Sequence, residues 1–323
     1  MTTRSCFVTG GYGLLGSWLV RGLLSRGDRV TVLREDREML SVLDFMGLED
    51  DIAIVDGDIR DAMLIERAFV QHDVDTVYHL AAQTLVQVAN ASPVPTFETN
   101  IQGTWTLMET VRLHEIPRTI VASSDKAYGP HATLPYREDL ALQARYPYDV
   151  SKAATDLIAR SYWHSFGVPV AVTRCGNLYG GGDLNLSRVV PEVVGAVLAG
   201  RPAVIRSDGR PERDYLYVED AVAAYLAITD ALDAGPATGE AFNVGSGVPI
   251  AVVDLARAVG RVVGQDIELD IRGDGTPSGE IPRQFVDISK IGELCGWKPS
   301  VDLAEGLRRT IDWYRAHLDV FGT

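Results

Sequence analysis

Thr9-Gly10-Gly11-Tyr12-Gly13-Leu14-Leu15-Gly16 is the stretch on which the reading of this chain turns. It follows a short apolar run over 5–9 and precedes a segment, 14–26, whose apolar residues recur with helical period. A strand that passes through glycines into a helix aims the helix's first free amide hydrogens at whatever lies beyond the strand end. Glycine permits the tight turn, a close backbone approach to a pyrophosphate, and close helix–strand packing. Gly11, Gly13 and Gly16 fit G-x-G-x-x-G, while Gly10, Gly13 and Gly16 fit G-x-x-G-x-x-G. Glycines alone mark many turns. Between a strand and a helix, the pattern predicts a dinucleotide loop with Gly10, Gly13, Leu14, Leu15 and Gly16 on the phosphates.

Outward from this loop, short apolar runs at 30–33, 52–55, 76–80, 118–123 and 168–174 alternate with helix-period segments at 61–71, 95–114 and 148–166. Such βαβ alternation predicts an α/β fold: a Rossmann-type, doubly wound parallel sheet with helices on both faces. Chemistry is then expected beyond the carboxyl ends of the strands. After residue 174 the pattern is less regular, with helices expected at 191–200, 219–231, 250–263 and 303–317 and a strand at 214–218. Residues 1–174 read as the dinucleotide-binding unit, rejoined by parts of 214–245. Residues 175–323 read as a smaller, discontinuous, mixed α/β substrate-binding lobe.

The chain carries 30 Lys and Arg against 44 Asp and Glu, a net charge of −14. That balance argues against nucleic acid or an anionic membrane as the main partner, although a local pocket can still be basic. No apolar run approaches the length of a membrane span, and the N-terminus lacks a signal-peptide pattern. Cys6, Cys175 and Cys295 stand far apart with no metal-ligand spacing, so a reduced cytoplasm is expected and no metal.

The end of the second strand leaves the form of the dinucleotide open. Arg34 is placed to hold the 2′-phosphate of NADP, whereas Glu35 or Asp36 could bind the ribose of NAD. All could instead be solvated loop charges. NAD(P) is the reading at this level.

Tyr148 and Lys152 lie four residues apart, on one face of an expected helix. A free phenol, with a pKa of about 10, is a poor base at neutral pH, but a neighbouring cation lowers that value. Ser123-Ser124-Asp125-Lys126 ends the fifth strand, where the Ser124 hydroxyl can hold an oxygen that Tyr148 deprotonates.

Together with the glycine loop, these residues resemble the extended short-chain dehydrogenase/reductases, and the likeness runs through essentially the whole chain. It includes Asp58-Ile59-Arg60, His79-Leu80-Ala81-Ala82 and Asn100. The resemblance implies that Asp58, Ile59, Leu80, Ala81, Ala82, Asn100, Tyr148 and Lys152 line the cofactor. A capping role for Asp58 at the following helix is compatible with this. Arg213 in Arg213-Asp214-Tyr215 matches an arginine that grips the pyrophosphate of a nucleotide sugar, and Asn177 matches an asparagine that binds its phosphate. Pro277-Ser278-Gly279-Glu280 stands where many members carry Arg-Pro-Gly-Asp, so a second clamp is missing and Arg272 or Arg283 is a candidate replacement. The resemblance further implies a homodimer through helices 95–114 and 148–166.

Within that family the Ser-Asp-Lys sequence is similar to that of CDP-glucose 4,6-dehydratases. Gln83 in Ala81-Ala82-Gln83-Thr84 and Arg188 in Ser187-Arg188-Val189 add to the likeness and are implied to touch substrate. Oxidation at C4, loss of water across C5–C6 and return of hydride to C6 is the implied reaction. Asp125 would be the acid at C6, and Lys126 the base or relay at C5. If Asp125 and Lys126 merely pair with each other, a nucleotide-sugar 4-epimerase is left. A non-catalytic dinucleotide sensor is a third reading, against which stand Tyr148 and Lys152, both present here.

Overall fold

The computed structural model describes residues 3–35, 41–274 and 281–321. Strands β1 (Ser5–Thr9), β2 (Arg29–Arg34), β3 (Ala53–Asp56), β4 (Thr76–His79), β5 (Arg118–Ala122) and β6 (Val170–Cys175) occur in the first half. The second half adds β7 (Asn177–Tyr179), β8 (Ala203–Ile205), β9 (Glu212–Tyr217), β10 (Ala241–Val244), β11 (Pro249–Ala251), β12 (Leu269–Ile271) and β13 (Arg283–Gln284). Seven of these build one parallel sheet in the order β10-β6-β5-β4-β1-β2-β3. The strand order reverses between β1 and β4, which puts the ligand crevice at the ends of those two strands.

Side-chain alternation explains why helices cover both faces. In β1, Cys6 and Val8 belong to one core and Phe7 to the other. Likewise Ile120 and Ala171 face the first core, while Val121, Val170 and Val172 face the second. Successive side chains of a strand point to opposite faces, so a run that is apolar throughout needs two cores. Helices Leu14–Ser25 and Val218–Ala234 cover the first face, and Ala62–Gln71, Gly103–Leu113 and Pro147–Phe166 the second. The first pair packs closely because Gly22 has no side chain; a Cβ there would lie 2.8 Å from Val222 Cγ1. Phe7, fully buried, contributes on the order of 3–5 kcal/mol against alanine.

Two small sheets complete the second half. β9 is flanked by β11 and β13 and also pairs with β7, while β12 pairs with β8. β10 then returns to the large sheet beside β6. The segment expected as one helix over 95–114 is interrupted: Pro93–Phe97 and Gly103–Leu113 are joined by a wider π turn, Glu98–Gln102, which carries Asn100. Helices Val42–Met46, Val86–Ala91 and Ser289–Cys295 were not expected from the sequence. Among the described residues no helix is long and apolar enough to cross a membrane.

Candidate active site

The glycine loop is built for close approach. Gly10 has φ +72°, and a Cβ on it would sit 2.7 Å from the Ala81 backbone nitrogen. A Cβ on Gly16 would collide with the Gly10 carbonyl oxygen. Ser17 ties the loop to its helix by donating to the Gly11 and Gly13 carbonyls at 3.0 and 2.9 Å. The neighbouring strand end is pinned as well: Ala81 N donates to Thr9 Oγ1 (3.1 Å), and Thr9 Oγ1 bonds His79 Nδ1 (2.8 Å). His79 is buried and also bonds Thr104 (3.1 Å); burial holds its pKa at about 3, so it is a neutral packing group. A dinucleotide fits this cradle, because the tight glycine turn brings the start of helix Leu14–Ser25, whose N-terminus carries no side-chain cap, to the strand ends.

Several expected cofactor contacts are occupied by the protein itself. Asn100 accepts from Gln83 N (2.8 Å) and donates to Gln83 O (3.1 Å) and Ser151 Oγ (2.9 Å). Its amide therefore joins the 80–85 loop to helix Pro147–Phe166. The Gln83 side chain is likewise turned onto the Leu85 backbone. Asp58 is gripped by Arg60, which keeps its carboxyl below the usual range. Asp58 does not cap the next helix: that role falls to Asp61, whose Oδ1 accepts from Leu64 N at 3.0 Å. Ile59 is buried and backs the π turn, with a Cβ on Gly103 meeting its Cγ2 at 2.7 Å. Leu80 and Ala82 lie partly buried on the loop after β4, beside Gly10, and Leu14 and Leu15 start the helix after the glycines. Asp36 and Arg37 lie outside the described residues.

At the end of β5 the chain turns into a short 3-10 helix, Asp125–Tyr128, with Ser124 as its cap. Asp125 is 3% exposed. Its Oδ1 accepts from Ser124 Oγ at 3.2 Å, and its Oδ2 has no hydrogen-bond partner among the described residues. Burial first, and Asp214 after it, push the Asp125 carboxyl up to about 6 against the pull of Lys126, Arg213 and Ser124. Burial also raises the carboxyl of Asp149, an acid next to Tyr148 that no motif marks, with Lys126 opposing the shift.

Helix Pro147–Phe166 brings Tyr148 to this cluster, within electrostatic reach of Ser124 and Asp125. Lys152 is buried and donates from Nζ to Ala122 O (2.8 Å), while Ser123 Oγ donates to Lys152 O (2.9 Å). Burial brings the Lys152 ammonium down to about 8. The expected lowering of the Tyr148 pKa is not what the geometry produces. Burial raises the phenol to about 12, and the cation that opposes this most is Arg188, with Lys152 turned toward the strand backbone. Desolvation of a phenolate outweighs a partly exposed guanidinium that is already paired with Asp183 (3.2 Å).

The second half supplies the far wall. Arg213 is buried on β9, donates to the Glu212 carbonyl (2.8 Å) and lies within electrostatic reach of Asp125. Asn177 on β7 donates to Asp214 O (3.3 Å), so the two expected phosphate ligands stand on paired strands. In register with Arg213 is Gln284 on β13, fully buried with both amide atoms unpartnered among the described residues. Only strand pairing puts Gln284 there, and no sequence motif marks it. Of the two candidates for the second clamp, Arg283 pairs with Glu212 (2.7 Å) and Arg272 with Asp270 (2.7 Å), both at the surface. Residues 277–280 lie outside the described residues. Cys175 is buried with its thiol pushed up to about 11, and Trp297 anchors its region by donating to Asp220 O (3.1 Å).

A glycine cradle at β1, with a serine, a tyrosine and a lysine converging at β5, defines an extended short-chain dehydrogenase/reductase. The chain belongs to the GDP-mannose 4,6 dehydratase family, whose model matches residues 7–310. It is 34% identical over 332 residues to a dTDP-glucose 4,6-dehydratase of Actinoplanes sp., covering 96% of this chain and 97% of that one. Among solved structures, the dTDP-glucose 4,6-dehydratase of Streptomyces venezuelae with NAD bound is 30% identical with a TM-score of 0.86, covering 96% and 97% of the two chains. The UDP-glucose 4-epimerase of Thermotoga maritima with UDP-glucose is 29% identical with a TM-score of 0.88, covering 97% and 99%. The dehydratases among these relatives are named for dTDP-glucose, so they lend no support to CDP-glucose in particular.

Proposed function

We propose that the protein is a nicotinamide-dinucleotide-dependent nucleotide-diphosphate-sugar 4,6-dehydratase. The observation that carries this reading is Asp125: a buried carboxyl, held near pKa 6, with one oxygen left without a partner beside Tyr148. Such a group is protonated for a useful fraction of the time near neutrality and can release its proton to a leaving hydroxyl. A bound dinucleotide would supply a reversible hydride acceptor between C4 and C6 of the sugar. Gly10, Gly13, Leu14, Leu15, Gly16, Ala81 and Ala82 would hold it.

Tyr148 takes the proton of the C4 hydroxyl while Ser124 holds that oxygen. Lys152 fixes the floor of the site through Ala122. Asp125 protonates the C6 hydroxyl as it leaves, while Lys126, within reach of Asp125 and Asp149, takes the proton from C5 and returns it there once C6 is reduced. Arg213, Asn177 and Arg188 hold the diphosphate and sugar. The Ser124-Asp125-Lys126 sequence makes CDP-glucose the first substrate to try. We also propose a homodimer, because helices Gly103–Leu113 and Pro147–Phe166 leave Trp105, Leu113, Leu157 and Phe166 exposed; a single-chain mass by light scattering would remove it.

The test offers CDP-, UDP-, GDP- and dTDP-glucose to the protein and follows loss of water by mass spectrometry. Asp125→Asn is expected to slow water loss by roughly 10²-fold or more while leaving oxidation at C4 measurable. A C4-inverted sugar with no water lost would instead establish a 4-epimerase, the reading favoured by the epimerase structural neighbour.

A further inference from the structure

Arg34 ends β2 where an arginine could meet a 2′-phosphate, yet its guanidinium is already engaged. Its Nε donates to Asp56 Oδ1 at 2.7 Å, across the β2–β3 register that sets Arg34 opposite Asp56. Nη1 lies 3.7 Å from Glu49 Oε1. The guanidinium carbon sits 5.8 Å over the ring of Tyr12, whose hydroxyl donates to the same Glu49 oxygen at 2.7 Å. Tyr12 belongs to the glycine loop, so this cluster is fastened to the phosphate cradle. Around it, Arg60 is consumed by Asp58 and Glu98, and Glu35 is exposed. The described acids of this rim, Glu35, Glu49, Asp56 and Asp58, outnumber its two arginines.

We propose that Asp56 and Glu49 act as specificity residues, holding Arg34 away from the adenosine ribose so that the protein selects NAD over NADP. The inference rests only on the dinucleotide part of the functional reading. A 2′-phosphate brings between one and two further negative charges. To pair with Arg34 it must displace Asp56 or share the guanidinium with it; either way two carboxylates stand beside a phosphate, and like charges at that range oppose binding. The 2′-hydroxyl of NAD requires no such displacement.

Binding of NAD+ and NADP+ is measured by titration calorimetry on the full-length protein without sugar, so the outcome is independent of which reaction follows. Wild type is expected to bind NAD+ more tightly by about tenfold or more. Asp56→Asn, and Asp56→Asn with Glu49→Gln, should strengthen NADP+ binding by about tenfold while NAD+ binding stays within a few-fold, which also shows that the variants fold. Adding Arg34→Ala to the double variant should erase the NADP+ gain. Wild-type preference for NADP+, or an NADP+ gain that survives Arg34→Ala, would overturn the proposal. Binding of neither dinucleotide would overturn it together with the reading beneath it.

Discussion

Charge is handled in opposite ways at two places along the carboxyl edge of the large sheet. At the ends of β2 and β3, Arg34 is matched by Asp56 and Arg60 by Asp58, all partly open to solvent. At the ends of β5 and the adjoining helix, Asp125, Tyr148 and Lys152 are desolvated, and their pKa values move toward the neutral form. Paired, solvated charges hold their protons constant and so shape a surface and choose what docks on it. Desolvated ones sit closer to exchanging protons, which suits chemistry. The Asp125 and Lys152 values, about 6 and about 8, bracket neutrality.

Breaking the chemical side should have the largest effect. Tyr148→Phe keeps the ring and its packing but removes the hydroxyl, and turnover is expected to fall by roughly 10²–10⁴-fold. Arg60→Ala, at the paired rim, should leave turnover at saturating dinucleotide close to wild type. Steady-state assays of both variants check the contrast. Equal rates for Tyr148→Phe and wild type would remove the phenol from the mechanism. So high a phenol pKa also predicts that turnover rises with pH below about 6 and levels above it, as Asp125 loses the proton it must donate, until loss of the Lys152 proton, near 8, intervenes.

How much of this was legible in the sequence follows the range of the interactions involved. The glycine loop is local: the strand, the turn and the helix start lie within 5–16, and the doubly wound parallel sheet they imply is the one found. The Tyr148–Lys152 spacing is local too, and the helix is there. What the sequence could not convey is which charge ends beside which. Arg34 reads as a phosphate ligand until β3 pairs with β2 and delivers Asp56. Gln284 comes opposite Arg213 only because the two-residue strand β13 lies along β9, some seventy positions earlier in the chain. Asp58 and Asp61 both suit a helix start, and only the geometry of the turn chose Asp61. The Tyr148 pKa departs from the sequence expectation for a related reason: four-residue spacing fixes the face a lysine shares, but not that its ammonium turns to Ala122.

The same contrast predicts an opposition between stability and activity at Asp125. Its folded-state pKa of about 6 stands above the value of about 3.9 for an unfolded aspartate, so burial penalises the charged form. Between those values the folded protein binds more protons than the unfolded one, and stability therefore falls as pH rises from about 4 to about 6. The full penalty, at most on the order of 3 kcal/mol, is present above that window and absent below it. Asp125→Asn carries no charge at either end. Urea denaturation should find the variant more stable than wild type at pH 7.5, with the advantage shrinking toward pH 4 as wild type gains its proton. An advantage independent of pH would mean that Asp125 is not strained by its charge, and the claim that desolvation holds this carboxyl ready as an acid would fall with it. Retaining a destabilising ionisable group at such a position is what a proton-transfer role demands, and what a merely structural aspartate would not.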